Sequence, residues 1–301
     1  MNRPPFIVAV TVNFGRPDDT FECVASLLAT QYPHLRIVVV DNGSAPDVRE
    51  RLRQELPSGV VFIRSEKNLG FSGGNNLGIR HGLDAGADYI VLINNDATLK
   101  PDALRIVAES APMVRGLGIL GGKILVAEPD EAGQRQIWSA GGWYSQLKAS
   151  GYLAGQGEVD QGQFDHASDT EFIPGCLWVV PSDVFRMVGL LEEDYFLYTE
   201  DLDYALRLHR ARYRLYYEPR IVCYHKVSRS HWQDRGRASP LLNYYTNRNR
   251  VHFARRWLTP IQRAVFYVYF VASRLVAAAV YRDRSYLAGM WDGLRWKVGP
   301  R

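Results

Sequence analysis

Only three cysteines occur in the 301-residue sequence, Cys23, Cys176 and Cys223, at unrelated spacings. They make neither a disulfide framework nor a thiolate metal site, and a reducing compartment, the cytoplasm, fits them. Clean apolar runs of the roughly 20 residues needed to span a bilayer are missing too. Residues 6–12 are too few and carry no cleavage signal, and the apolar stretch 264–281 is cut by Arg274. Low-complexity sequence is absent: 47% hydrophobic and 23% charged residues are ordinary globular values, which excludes disordered and collagen-like chains. There is no Walker P-loop and no protein-kinase signature set. A single GxGxxG string, Gly116–Gly121, follows a helical stretch and runs into an expected strand over 122–126, so it is a chance match and not a dinucleotide fingerprint.

Negative charge is scarce at one end. Residues 241–301 hold eleven Lys/Arg against Asp283 and Asp292, a balance of +9, which leaves −5 for the first 240 residues. The same end is rich in aromatic and apolar residues. A basic helix with a broad apolar face suits the headgroup layer of an anionic membrane, here the inner face of the cell membrane. A helical hairpin packed on its own domain or on a second subunit, as in a homodimer, explains the pattern equally well. Nucleic acid is excluded as a partner because no reading motif accompanies the charge.

What is present is an alternation. Residues 6–12, 35–40, 60–63 and 89–93 are apolar, β-branched runs; 18–30, 46–56 and 72–85 read as helices, with Asp18 and Ser72 as N-caps. Continuous apolar strands alternating with amphipathic helices predict a mostly parallel, Rossmann-like sheet covered on both faces. Ligands of such sheets sit beyond the carboxyl ends of the strands. The residues there are Asn13-Phe-Gly, Asp41-Asn-Gly-Ser, Asn68 to Asn76, and Asn94-Asn-Asp96, which together outline a nucleotide site. Asp41 could accept from a pyrimidine N3–H or a ribose hydroxyl, or simply close an Asx-turn. The Gly70–Asn76 loop, including Gly74 and Asn75, could let phosphate approach a helix N-terminus, or supply a turn needing positive φ.

The ordered set of motifs Thr-Val-Asn at 11–13, Val-Asp-Asn-Gly-Ser at 40–44, Asn-Leu-Gly-Phe-Ser-Gly-Gly-Asn-Asn at 68–76, Leu-Ile-Asn-Asn-Asp at 92–96, Pro-Gly-Cys at 174–176, Tyr-Thr-Glu-Asp-Leu-Asp at 198–203, His225, and Tyr244-Tyr-Thr-Asn-Arg-Asn249 resembles glycosyltransferase family 2, in particular its rhamnosyltransferase-like branch. The resemblance covers about residues 6–255. It implies an α/β GT-A fold over 1–240, with a nucleotide-binding half (about 1–125), an acceptor half (about 126–240) and a C-terminal helical appendage over 241–301. It also implies an inverting, metal-dependent transferase that moves a sugar, rhamnose first, from a dTDP- or UDP-sugar to a glycan or lipid-linked acceptor in cell-surface polysaccharide synthesis.

The resemblance further assigns roles. Thr11, Asn13 and Asp41 would hold the nucleoside, and Asn68, Gly74 and Asn75 the nucleotide and donor sugar. Asp96 and His225 would hold Mg2+ or Mn2+, with Asn95 near ribose or phosphate. Asn94 stands where the family has the first Asp of Asp-x-Asp, so the diphosphate itself must complete the metal shell. Asp201 matches the family's base and Glu200 would orient the acceptor, although the two could exchange roles. First-turn carboxylates complementing a helix dipole are the bland account of both. Trp178 and His231 are acceptor-side candidates, with Trp178 also readable as core. From the residues alone, Arg229, His231 and Arg235 form a Ser/Arg-rich loop that could close over the diphosphate or equally be a solvated basic loop. Two other classes stay open: a sugar-phosphate nucleotidyltransferase, and a non-catalytic membrane-associated scaffold of the same fold.

Overall fold

The computed structural model describes residues 3–227, 232–233 and 237–300. His231, Arg229 and Arg235 lie outside the described residues. The β-branched runs form β1 (Ile7–Asn13), β2 (Leu35–Asn42), β3 (Val61–Ser65) and β4 (Tyr89–Ile93). Helices α1 (Pro17–Ala29), α2 (Pro46–Glu55) and α3 (Gly70–Asp84) connect them. The chain then runs through β5 (Ala97–Leu99), α4 (Ala103–Ser110), β6 (Leu117–Val126), β7 (Ile137–Ser139), β8 (Gly142–Ser145), β9 (Ser150–Leu153), β10 (Ser168–Thr170) and β11 (Leu177–Pro181). It closes with α5 (Ser182–Val188), α6 (Glu200–Arg210), β12 (Arg214–His225), α7 (Pro240–Trp257), α8 (Pro260–Tyr281) and α9 (Ser285–Leu294).

One large sheet runs β10-β12-β6-β11-β4-β1-β2-β3, with β5 added on β12 and β7 on β6. The β3-β2-β1-β4 half is parallel, whereas β11 is antiparallel to both β4 and β6. Apolar side chains cover both faces, as continuous apolar strands require. On one side β1, β4 and β11 pack against α1 and α4 through Val24, Leu27, Leu104 and Val107. On the other, α3, α5, α6 and α7 contribute Ile79, Phe185, Leu202 and Phe253 to a single core. The C-terminal helices thus share the sheet's core: Val251, Ala254, Phe266 and Phe270 are buried in it.

Local chemistry explains several boundaries. Pro17 opens α1 with Asp18 and Asp19 in its first turn, so the helix begins one residue before the expected cap. Ser72 lies inside α3, not at its start, because the Asn68 side chain already accepts from Gly70 N at 2.8 Å. Gly116–Gly121 is largely strand, and the next residue shows why glycines are used there: a Cβ on Gly122 would lie 2.2 Å from the Ile221 carbonyl oxygen. Gly118 and Gly122 admit the neighbouring strand at Arg214 and Ile221, and Gly121 makes room for the Ile173 side chain. By length and composition, α8 is a 22-residue helix that could cross a bilayer, because it continues straight through Arg274.

The junction of α3 with the segment before α6 is among the tightest of the described backbone contacts. Gly70 has φ +73°, and a Cβ there would sit 2.1 Å from the carbonyl oxygen of Phe196. Gly70→Ala therefore combines a positive-φ penalty with a backbone clash that no side chain can relieve. It is expected to lower unfolding free energy by at least about 2 kcal/mol, read as a drop in denaturant midpoint at unchanged slope.

Candidate functional site

Strand pairing builds the first half of the site. The short β5 pairs antiparallel with the end of β12 in the register Ala97 opposite His225, and Lys226 N donates to Asp96 O at 2.9 Å. Residues 129 apart in sequence are thereby brought side by side, with His225 Nε2 3.1 Å from Asp96 Oδ1. Both side chains are buried. An ionised carboxylate only accepts, so Nε2 carries the proton of this hydrogen bond, a proton that an ion bound between the two side chains would displace. Among the described residues His225 Nδ1 has no hydrogen-bond partner, and the Trp138 ring meets the imidazole edge-on at 4.6 Å.

Among the described residues, no group of three or more His, Cys, Asp or Glu side chains forms a ready-made cation site. The Asp96–His225 pair nevertheless fits one ion. Two adjacent donors at about 2.1 Å from an octahedral cation are themselves about 3 Å apart, which matches the observed separation. Behind Asp96, burial raises the Cys23 thiol to about 12 and Cys176 well above its ordinary value. Cys23 and Cys176 therefore stay protonated core residues and supply no thiolate to the pair.

Asp96 borders an open cleft of about 670 Å³ at the carboxyl ends of β1 and β4. Its walls include Phe14, Asn42, Asn68, Phe71, Asn75 and Asn95, and on the far side Phe196, Tyr198 and Tyr245. Asn42 latches the glycine loop: its side chain donates to Asn68 Oδ1 (3.1 Å) and Gly70 O (2.9 Å) and accepts from Leu69 N (3.0 Å). Asn95 donates to Thr20 Oγ1 at 3.1 Å, and Asn75 to Phe71 O at 2.9 Å. Thr11 is fully buried, where Cys23 Sγ contacts its hydroxyl, and Asn13 is committed to Thr20 and Ser44. Gly74 is a close-packing position, since a Cβ there would press on Val12 at 2.7 Å. Asp41 is different. One oxygen accepts from Ser44 N at 3.3 Å, while the other, shielded from solvent, has no partner among the described residues.

The second pair of acids begins α6. Asp201 Oδ2 lies 3.4 Å from Gly175 N, and Gly175 stands against the Phe71 ring that forms the cleft wall. Cys176 O accepts from Asn94 N at 3.0 Å, so the strip carrying Gly175 runs directly beside the β4 end that holds Asp96. Burial raises Asp201 from 3.8 to about 6. Burial, and then the Asp201 charge, push Glu200 well above its usual range. Near neutral pH the pair therefore carries its negative charge on Asp201. Asp203 turns the other way: its carboxylate receives Trp257 Nε1 at 2.7 Å and Tyr195 OH at 3.2 Å and joins α6 to α7. Trp178 is fully buried, donating to Ile173 O at 2.9 Å and stacked on Tyr204, so it is a core residue that offers no surface to an acceptor.

Neither Arg248 nor Asn249 stands out singly in sequence, yet they hold this half together. Phe196, Tyr198 and Thr199 all have positive φ, at 63°, 67° and 78°, an uncommon state for non-glycine residues that costs about 1–3 kcal/mol each. The strap they form leads directly into Glu200. Asn249 donates to the carbonyls of Tyr195 (2.9 Å), Leu197 (2.7 Å) and Tyr198 (2.7 Å), and the fully buried Arg248 donates to Tyr195 O at 2.6 Å. Their sequence signal was the run Tyr244–Asn249, two polar residues at the end of an aromatic segment. Asn249→Ala is expected to loosen the strap and cut kcat on the order of 10²-fold, with nucleotide affinity kept within a few-fold, in steady-state kinetics alongside calorimetry.

The family model described as Glycosyl transferase family 2 matches residues 8–148. The low-salt glycan biosynthesis hexosyltransferase Agl10 of Haloferax volcanii is 26% identical over 174 residues, 58% of this chain and 53% of that protein. This chain therefore spans about half the length of that relative. An N-acetylglucosaminyl-diphospho-decaprenol L-rhamnosyltransferase of Mycobacterium tuberculosis is 27% identical over 251 residues, 76% of this chain and 78% of that protein. Among solved structures, GalNAc-T7 with UDP, GalNAc and Mn2+ aligns at TM-score 0.56 and 15% identity, over 81% of this chain and 48% of that one. That likeness concerns the fold, which is GT-A-like with added C-terminal helices. Together with the motifs at the strand ends, these matches make residues 8–148 similar to glycosyl transferase family 2.

Proposed function

We propose that this chain transfers a sugar from a nucleotide diphosphate sugar to a hydroxyl of a glycan or lipid-linked acceptor, with inversion, in cell-surface polysaccharide synthesis. The observation that carries this reading is the pairing of Asp96 with His225 at the rim of a cleft whose other wall is backed by Asp201. The unpartnered Asp41 oxygen, at the end of β2, supports a nucleoside there: it is an acceptor left over for a pyrimidine N3–H or a ribose hydroxyl. Uridine or deoxythymidine answers that chemistry, and the likeness to the mycobacterial rhamnosyltransferase makes rhamnose the donor sugar to test first.

Asp96 and His225 would hold Mg2+ or Mn2+, which when bound would stabilise the charge of the departing diphosphate. Asn68 and Asn95 border the same cleft, within reach of the donor. Asp201 takes the proton from the attacking acceptor hydroxyl. Its raised affinity for protons places it near the ideal for a base at neutral pH, since it is ionised yet basic enough to accept. Glu200, held neutral beside it, keeps the charge on one carboxylate and can donate a hydrogen bond to the acceptor. Phe71, Phe196 and Tyr198 wall the reacting end with apolar surface, which strengthens each of these interactions by excluding water.

Asp201→Asn should abolish transfer while leaving nucleotide affinity within a few-fold; turnover retained in a product assay contradicts the assignment. The same substitution should raise the melting temperature above about pH 6. The Asp201 carboxyl binds its proton more tightly in the folded state, so its ionisation costs stability as pH rises from 3.8 towards about 6. In the wild type, kcat/KM should rise with pH through about 6, as the base ionises. Asp96→Ala should remove the Mn2+-dependent part of UDP or dTDP binding in calorimetry. Release of a nucleoside diphosphate supports transfer, whereas release of pyrophosphate would identify a nucleotidyltransferase.

A further inference from the structure

The C-terminal helices present two features that the proposed reaction does not use. Along α8, Ile261, Val265, Val268, Val276 and Val280 recur at helical spacing and are each more than half exposed, so an apolar stripe runs the length of a helix of about 33 Å. Only 17% of the helix's apolar window is buried in the fold. Beside that stripe lie two arginines without acids. Arg250 of α7 donates to Ser150 Oγ at 3.1 Å, and Arg274 of α8 to Asn247 Oδ1 at 3.0 Å. The Nε of each is shielded from solvent and has no hydrogen-bond partner, and neither makes an ion pair with a carboxylate among the described residues. Burial, and next the neighbouring Arg274, disfavour the Arg250 cation. Two such charges kept together call for an anion.

Arg274 also borders a shallow apolar groove of about 610 Å³ floored by Val268, Ala272, Val276 and Val280. At the end of the helix Arg282 and Arg284 are exposed on the same basic segment. Arg274 lies over the Phe270 and Tyr286 rings, at 5.4 and 5.5 Å from their centres, and has no carboxylate partner among the described residues. A cation so held at the margin of an apolar groove matches one kind of ligand: a phosphate carrying hydrocarbon chains.

We propose that α8 lies in the surface of an anionic membrane, with its apolar stripe in the acyl boundary and Arg274 and Arg250 taking a lipid phosphate. Arg274 is hydrogen-bonded to α7, and Phe266 and Phe270 are buried in the shared core, so the helix is fixed along the domain and meets a bilayer side-on, not end-on. The inference rests on the transferase reading only for its purpose, which is to bring the cleft to an acceptor carried in the membrane. The surface itself stands on the helix and the arginines.

The test is co-sedimentation of the full chain with vesicles of phosphatidylcholine alone and of equal parts phosphatidylcholine and phosphatidylglycerol. Wild type should bind the anionic vesicles, and binding should fall as salt is raised. Arg274→Gln should weaken binding about fivefold, near the contribution of one cation at an anionic surface. Val268→Glu with Val276→Glu, at exposed positions that leave the core intact, should abolish it. UDP or dTDP binding with Mn2+, followed in parallel, should be unchanged in both variants; its loss in the wild type would count against the transferase reading alone. Equal binding to neutral and anionic vesicles would overturn the anionic surface as the ligand. So would stabilisation of the wild type by inorganic phosphate in an Arg274-dependent manner without vesicle binding. A dimer by light scattering that the glutamate pair dissociates, with no vesicle binding, would overturn the membrane surface in favour of a second copy.

Discussion

The pairing of β5 with the last residues of β12 is the constraint on which the site depends. A three-residue strand is a weak element by itself, but here it fixes the register that sets His225 opposite Ala97 and turns its ring onto Asp96. Without that ladder Asp96 would be a lone carboxylate at the end of a parallel strand, a poor cation ligand in a sequence whose preceding position is Asn94. With it, two dissimilar donors meet at the spacing a single divalent ion accepts, backed by the buried thiols of the core and edged by Trp138. An ion held by this pair alone would need its remaining ligands from what enters the cleft, as the proposed diphosphate would supply them.

A second constraint acts on the opposite wall. The chain must turn sharply between the core residue Tyr195 and the first turn of α6, and it does so through three residues with positive φ, none of them glycine. Strain of that kind persists only where surroundings over-determine it. The surroundings are Gly70, which leaves room for the Phe196 carbonyl, and the buried Arg248 and Asn249, which bind the strap's carbonyls. The basic C-terminal region is therefore divided in its duties. One helix, α7, holds the strap before α6, while α8 carries its apolar side outward.

Much of this was legible in the sequence because it depends on local pattern. Apolar β-branched runs separated by amphipathic stretches give the parallel half of the sheet, with strand ends close to those expected. The strand-end polar residues do converge at one rim, since a parallel sheet places every carboxyl end on the same side. What escaped was set by long-range packing. Thr11 and Asn13 resemble cleft residues in sequence, yet one is sealed behind Cys23 and the other is used to hold Thr20 and Ser44. Trp178 went to the core because its indole found the Ile173 carbonyl. The strap-binding role of Asn249 depends on a loop half a hundred residues away, which no local window contains. Nor could charge counting say that Arg250 and Arg274 sit together without an acid.

Anomalous scattering from Mn2+ in crystals of the protein grown with UDP or dTDP tests the central claim most directly. A single peak within bonding distance of both Asp96 Oδ1 and His225 Nε2, and of the diphosphate, is the predicted result. A nucleotide-bound Mn2+ that touches neither side chain, with the His225–Asp96 hydrogen bond intact beneath it, would contradict the account.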